Sequence, residues 1–238
     1  MARLNSGVRR LAFSRKPEDD TVGHDARSEV RHAVSHNVGL GPGDLAPDFD
    51  LPAADRDGQV SLADVRRRGP VLLVMLRGLY CPFCRRHISQ LRPACDTLKQ
   101  EGIQLLGVVV ASATRARQYF RYQPPCFPIV AAPDRGTHRA YGLPSVQRTA
   151  QFLEETQRLA AEANAELGIE APPGEAGPAF MKWDGFEMTA EDKAEHERPL
   201  QFVGYFLVGR DGVIRWAQVA PREGSLHPPK IEELLALL

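Results

Sequence analysis

The residues of this chain whose spacing points most directly to chemistry are two cysteines. They stand in the motif Cys81-Pro82-Phe83-Cys84, directly after an apolar run at 71–76. Because Pro82 is well placed in the first turn of a helix, Cys81 is expected where a helix begins. Backbone N–H groups and the helix dipole stabilise a thiolate there, and a second thiol separated from it by two residues can resolve a mixed disulfide. The spacing predicts thiol–disulfide exchange, with Cys81 and Cys84 as the catalytic residues.

Charged and aromatic neighbours are predicted to support this pair. Arg77 and Arg85 make the surroundings cationic, and Arg85 follows Cys81 by one helical turn. A cation beside a thiol lowers its pKa, but both arginines are equally compatible with solvated surface charges. Tyr80 is expected either beside the thiols or at the rim of the core.

The other polar candidates are interpreted as structural. A zinc site at the motif needs two further ligands at organised spacing, and Cys95 and Cys126 offer none, so redox use is favoured over metal. Cys95 falls on the apolar face of a predicted helix, which favours an inert core thiol. Cys126 is expected in a half-exposed loop, with a third redox partner as the alternative. The triplet at 195–197 (EHE) is interpreted as charged surface, and no metal or cofactor is implied.

Composition limits the class of protein. The chain has 238 residues, 43% of them hydrophobic, which suffices for one large domain with a core. Lys and Arg together number 30 and so do Asp and Glu, so a basic nucleic-acid-binding field is not expected. Near-zero charge gives little protection against self-association and is compatible with a homodimer. No apolar run predicts a membrane span or a secretory signal, so the cytoplasm is the expected location.

The order of elements predicts an α/β fold. The run at 71–76 is apolar on both faces and suits a central strand. Segments 82–98, with a kink at Pro93, and 103–111 continue it as helix and strand, which favours a parallel pair with a right-handed crossover. Further predicted elements are a first strand at 46–51, helices at 62–68 and 114–122, a short segment at 127–130, an antiparallel hairpin of 201–208 with 213–219 around the turn at 210–212, and a helix at 230–238.

Domain boundaries follow from composition. Residues 1–42 are predicted to be a loose N-terminal arm, and 43–238 a single domain interrupted by a largely helical insertion at 144–200. Within the insertion we expect a helix at 146–167 and a flexible break at 171–178. An aromatic and Met-rich patch follows at 180–188. This patch either caps the active site, forms a dimer contact or simply packs on the domain.

Four passages resemble the alkyl hydroperoxide reductase/thiol-specific antioxidant family of peroxiredoxin-like proteins. They are 43–49 (GDLAPDF), 71–85 (VLLVMLRGLYCPFCR), 127–134 (FPIVAAPD) and 206–214 (FLVGRDGVI). The resemblance covers about 43–143 and 201–238. It implies a thioredoxin-like fold with a central mixed sheet, flanking helices and an antiparallel C-terminal hairpin. It also implies Cys81 as the attacking thiol and Cys84 as its resolving partner.

The chain departs from the family at two positions of the site. Peroxiredoxins carry Thr or Ser three residues before the attacking cysteine, where this chain has Gly78. Their late Arg, like the cis-proline of thioredoxins, falls near Val203. Thioredoxins also place a buried Asp where this chain has Met75.

Three functions remain open. The resemblance implies a thiol-dependent oxidoreductase that reduces hydroperoxides or disulfides through a Cys81/Cys84 cycle and is reset by a thioredoxin-like or low-molecular-weight thiol. The departures favour a thioredoxin-like protein disulfide reductase without peroxidase activity. A non-enzymatic redox sensor or binding module, in which oxidation changes the pose of the insertion, is the third alternative.

Overall fold

A computed structural model describes residues 39–220. The strands in this part of the chain are β1 (Asp50–Pro52), β2 (Gln59–Ser61), β3 (Val71–Leu76), β4 (Gln104–Val109), β5 (Ile129–Ala131), β6 (Ser145–Val146), β7 (Leu200–Gln201), β8 (Val203–Val208) and β9 (Ile214–Ala220). The helices are α1 (Leu62–Arg66), α2 (Pro82–Gln90), α3 (Arg92–Gln100), α4 (Ala113–Phe120), α5 (Gly136–Ala140), α6 (Ala150–Leu167), α7 (Ala176–Met181) and α8 (Ala190–Glu197).

A mixed five-stranded sheet in the order β5-β4-β3-β8-β9 forms the centre of the domain. Strands β3, β4 and β5 run parallel, whereas β8 pairs antiparallel with both β3 and β9. All six residues of β3 are buried, as an apolar strand covered on both faces requires. The predicted α/β fold with its C-terminal antiparallel hairpin is confirmed, and Gly212, at a φ of 84°, closes the hairpin turn.

The sheet separates two apolar layers. Leu72, Val74 and Leu76 of β3 point into one layer, which also contains Cys81 and Cys84. The alternate residues of β3 point into the other layer, as the period of two in a strand dictates. The cysteine motif therefore lies on one face of the sheet, immediately beyond the carboxyl end of its central strand.

The helix after the motif is interrupted as predicted, because the chain forms α2 and α3 with Leu91 between them and Pro93 in the first turn of α3. In the segment at 144–200, α6 begins at Ala150 behind the cap of Thr149. Helix α7 begins inside the predicted flexible break. The break is therefore shorter than expected, and Gly177 and Pro178 are helical.

The predicted arm at 1–42 falls almost entirely outside the described residues, and the predicted helix at 230–238 does so completely. Among the described helices, none combines the length and apolarity needed to cross a bilayer.

Candidate active site

Cys81 is the N-cap residue of α2. Its backbone is extended, with φ −83° and ψ 107°, and Pro82 follows in the first turn. The Cys84 backbone N–H donates to Cys81 Sγ over 3.3 Å. The sulfur thus takes the place of the side-chain oxygen that usually caps a helix, and it satisfies one of the open N–H groups there.

Arg77 supplies the positive charge at this sulfur. Its Nη1 lies 3.8 Å from Cys81 Sγ, and its Nε donates to the Gln201 carbonyl over 2.7 Å. The side chain is buried, and its Nη2 has no hydrogen-bond partner within the described part of the chain. Arg77 is therefore a fixed, desolvated cation with one N–H group open beside the thiol.

The two cysteines are electrostatically different. Burial alone would raise the pKa of Cys81, but a hydrogen bond from the Cys84 side chain and the charge of Arg77 outweigh burial and lower it to about 6. Burial, followed by the hydrogen bond to Cys81 and the charge of Cys81, raises the pKa of Cys84 well above its ordinary value. At neutral pH the pair therefore contains one thiolate and one thiol.

Arg85 does not act on the thiols in this way. Its guanidinium forms two hydrogen bonds to Asp184, at 2.9 and 3.1 Å, and donates to the carbonyls of Leu79 and Met181. The side chains of both Arg85 and Asp184 are almost completely buried. Neither arginine of the motif is a solvated charge: Arg77 faces Cys81, whereas Arg85 joins α2 to the segment after α7.

Tyr80 lies beside the thiols and is buried, with 3% of its surface exposed. Its ring meets the ring of His196 edge-on, at a centroid distance of 5.2 Å. Its hydroxyl has no hydrogen-bond partner among the residues described, and burial raises the pKa of Tyr80, so the phenol stays protonated. The site therefore presents a second buried donor near Cys81.

Comparison with known proteins identifies the family of this chain. The model of the AhpC/TSA family matches residues 42–161, about half of the chain, and this stretch includes the motif and strands β3, β4 and β5. The chain belongs to the AhpC/TSA family. A Mycobacterium tuberculosis (strain CDC 1551 / Oshkosh) protein that carries the name peroxiredoxin is 31% identical over 103 residues. The match spans 43% of this chain and 64% of that relative, less than two thirds of its length.

Solved structures agree on the fold. A peroxidoxin of M. tuberculosis, BcpB, superposes with a TM-score of 0.53 at 11% identity, covering 83% of this chain and 96% of that one. A reduced 2-Cys peroxiredoxin of Plasmodium vivax gives a TM-score of 0.51 at 13% identity, covering 82% and 93%. At these identities the likeness is one of fold, and it confirms the thioredoxin-like architecture.

Gly78, the position where the family resemblance predicts Thr or Ser, lies against the Tyr80 ring. A Cβ atom at Gly78 would lie 2.8 Å from the Tyr80 ring and 3.0 Å from the Val110 carbonyl. Any side chain at this position would therefore overlap Tyr80.

Two contributors to the site, Gln201 and Tyr205, were not found from sequence. Gln201 receives the hydrogen bond that fixes Arg77. His87, one helical turn after Cys84, shares a 3.0 Å hydrogen bond with Tyr205 on β8. Val203, at the position of the family's late Arg, begins β8 and is buried in the same apolar layer as both cysteines. No local pattern marks Gln201 or Tyr205, because sheet pairing brings them to the motif.

Two interpretations of the other polar candidates are wrong. Cys95 is not an inert thiol, because it forms a disulfide with Cys126. Cys126 itself is exposed. Glu195 is not a surface charge, because it is buried in an ion pair with Arg135. Both errors come from partners distant in sequence. Among the described residues, no group of three or more His, Cys, Asp or Glu side chains is arranged to hold a metal ion.

Proposed function

We propose that the protein is a thiol-dependent oxidoreductase of peroxiredoxin-like type that reduces hydroperoxides or disulfides through a Cys81/Cys84 dithiol–disulfide cycle. The observation that carries this proposal is the surroundings of one sulfur: Cys81 Sγ accepts from the Cys84 N–H over 3.3 Å and lies 3.8 Å from Arg77 Nη1. These contacts lower the pKa of Cys81 to about 6, whereas burial raises the pKa of Cys84 well above its ordinary value. Such a pair provides a nucleophile that is ionised at neutral pH and a resolving thiol that stays protonated until it is needed.

In the first step, the Cys81 thiolate attacks the distal oxygen of a hydroperoxide. The S–O bond forms as the O–O bond breaks, so sulfur is oxidised to a sulfenic acid and the peroxide is reduced to an alcohol or water. The departing oxygen takes a proton from solvent. The open Nη2 of Arg77 and the hydroxyl of Tyr80 are buried donors that can stabilise the charge developing on the oxygens.

In the second step, the Cys84 thiol resolves the sulfenic acid. The Cys84 sulfur bonds to Cys81 Sγ, the hydroxyl leaves, and the Cys84 proton completes a molecule of water. Support comes from the position of Cys84 in the first turn of α2, where its own N–H already contacts Cys81 Sγ at 3.3 Å. The two residues therefore need no large rearrangement of the helix to form a disulfide.

A thiol donor must return the disulfide to the dithiol. One donor sulfur attacks the Cys81–Cys84 bond and a second closes the donor disulfide, so two electrons and two protons enter the protein. We infer a thioredoxin-like or low-molecular-weight thiol as this donor and the cytoplasm as the location. The expected homodimer is a proposal as well, and sedimentation analysis would test it.

A second candidate, a protein disulfide reductase without peroxidase activity, is favoured by Gly78 and Val203, which stand where the family carries its hydroxyl residue and late Arg. In that reaction the Cys81 thiolate attacks a substrate disulfide, one substrate thiolate leaves, and Cys84 displaces the other. The same two cysteines serve both reactions, and only the electron acceptor differs.

Rapid mixing of the reduced protein with hydrogen peroxide tests the proposal. Wild type should consume peroxide far faster than free cysteine does, Cys81→Ser should lose the reaction, and Cys84→Ser should react once and stop. A fast-reacting Cys81→Ser protein would overturn the assignment of roles. Stoichiometric oxidation without turnover in the presence of a thiol donor would instead support the redox-sensor alternative.

A further inference from the structure

The chain between α6 and β8 covers the cysteine motif. We call residues 176–201 the cap. The Phe83 ring, between the two cysteines, packs edge-on against Phe180 of the cap at a centroid distance of 4.8 Å. The Tyr80 ring, directly before the motif, meets cap residue His196. Contacts from the cap thus reach the residue before Cys81 and a residue between the two cysteines.

A buried ion pair fastens the cap between these two contacts. Arg85 binds Asp184 through two hydrogen bonds, and its guanidinium carbon stacks 3.9 Å above the centre of the Phe186 ring. Tyr119 of α4 donates to the same carboxylate over 2.8 Å. Cys81 and Cys84, which both precede Arg85 at the start of α2, are 4% and 6% exposed.

Two more buried ion pairs hold the cap on the sheet domain. Arg115 of α4 donates to Asp192 over 2.8 Å, and Arg135, directly before α5, pairs with Glu195. In each pair the arginine belongs to the sheet domain and the carboxylate to the cap. Such pairs, desolvated on both sides, are costly to break because separation leaves a buried charge uncompensated.

One contact of the cap is made by an exposed side chain. His196 is exposed to solvent, yet its ring edge rests on Tyr80, the residue next to Cys81. Rotation of an exposed side chain requires no displacement of the backbone and occurs on the ps–ns timescale. Separation of the three buried ion pairs, by contrast, requires the cap to lift as a unit.

We propose that residues 176–201 are a specificity-determining cap that admits small oxidants to Cys81 past Tyr80 and His196 and excludes disulfides of folded proteins. This inference rests on the proposed function and concerns the size of its electron acceptor. A small hydroperoxide needs only side-chain motion to bring one oxygen to Sγ. A protein disulfide must bring its sulfur and the surrounding backbone into contact, which the closed cap prevents. Of the two donors inferred above, the low-molecular-weight thiol is the one that fits a closed cap.

Thiol alkylation tests the cap without relying on enzymatic turnover. The reduced full-length protein is treated with N-ethylmaleimide and, separately, with the same maleimide carried on a kilodalton-scale polyethylene glycol. The small reagent should modify Cys81 at least about tenfold faster than the large one, beyond the ratio measured on free cysteine. Asp184→Asn and, independently, Asp192→Asn should bring the two rates together. Glu155→Gln, which removes an exposed ion pair within α6, is the matched control and should leave the ratio unchanged.

Turnover with insulin and with hydrogen peroxide then tests whether the cap selects the electron acceptor by size. Insulin reduction should be slow in wild type and about tenfold faster in the two cap variants, while the peroxide rate changes less than about threefold. Thermal unfolding verifies that each variant is folded, and either folded variant suffices for the comparison. Equal alkylation rates for large and small reagents in wild type would contradict the proposal that residues 176–201 exclude large molecules from Cys81. Size-selective alkylation without any Cys81-dependent turnover would support the cap and contradict the proposed function.

Discussion

The Nε atom of Arg77 donates to the Gln201 carbonyl over 2.7 Å, and this bond holds the guanidinium so that Nη1 faces Cys81 Sγ. Arg77 belongs to the loop after β3, and Gln201 is the last residue of β7. The charge that lowers the pKa of Cys81 is therefore positioned by the chain just before β8. Without that bond, a long side chain at this place would have several rotamers and a weaker effect on the sulfur.

Arg77→Met should raise the pKa of Cys81 from about 6 toward the ordinary thiol value of about 8.5, because it removes the charge and keeps much of the apolar stem. The peroxide reaction at pH 7 should slow by about tenfold or more, and part of the rate should return as the pH is raised, because the thiolate forms again but the Arg77 donor is absent. Rates measured across pH check this. Arg77→Lys retains the charge and should fall between the two proteins; a pH profile identical to wild type in Arg77→Met would remove Arg77 from the site.

The stability of the reduced protein should depend on pH through Cys81. Its folded pKa of about 6 lies below its ordinary value of about 8.5, so between these values the unfolded chain binds more protons. The free energy of unfolding should therefore rise with pH across this window, by roughly 1–4 kcal/mol relative to Cys81→Ser, and this contribution is lost as pH falls through 6. Urea unfolding at several pH values measures it. Parallel curves for the two proteins would contradict the shift.

Gly78→Ala should destabilise the protein by about 1–3 kcal/mol, because the new Cβ would lie 2.8 Å from the Tyr80 ring. Gly78→Thr, which restores the residue type of the family, should cost more and should not accelerate the peroxide reaction. A double-mutant cycle with Tyr80→Ala is the control, since removing the ring should relieve much of the cost. Additive effects in chemical denaturation would show that the contact is not the cause.

The Cys95–Cys126 disulfide should contribute to stability without taking part in the Cys81 reaction. The two residues are 31 positions apart, for which chain-entropy arguments give about 3–4 kcal/mol. The double variant Cys95→Ala/Cys126→Ser should lose stability of this order under non-reducing conditions and keep its first-step peroxide rate. Peptide mapping by mass spectrometry should find the bridge in wild type. A large loss of peroxide rate in a folded double variant would place these cysteines in the cycle.

Local patterns allowed prediction of the fold's centre and the position of the motif. The apolar run at 71–76 is β3, and Pro82 stands in the first turn of the helix that Cys81 caps, because both features depend on neighbouring residues alone. What sequence could not provide was pairing over long separations. The contact between Arg77 and Gln201 spans 124 positions. No periodicity or spacing encodes such a partner.

The arginines illustrate the same limit. A cation near a cysteine motif is equally compatible with tuning the thiol and with solvation, and the sequence left both open for Arg77 and Arg85. In the structure Arg77 faces Cys81 and Arg85 binds Asp184, because the loop after β3 and helix α2 point the two side chains in different directions. Glu195 was misassigned for the same reason, since its partner Arg135 lies 60 positions away.

Titration of the reduced protein by ultraviolet thiolate absorbance tests the central claim most directly. Burial raises the pKa of both Tyr80 and Tyr205, so phenolate absorbance from these residues should not obscure the transition. One thiol should ionise near pH 6, and this step should be absent from Cys81→Ser. Two thiols ionising together near their ordinary value of about 8.5 would contradict the account.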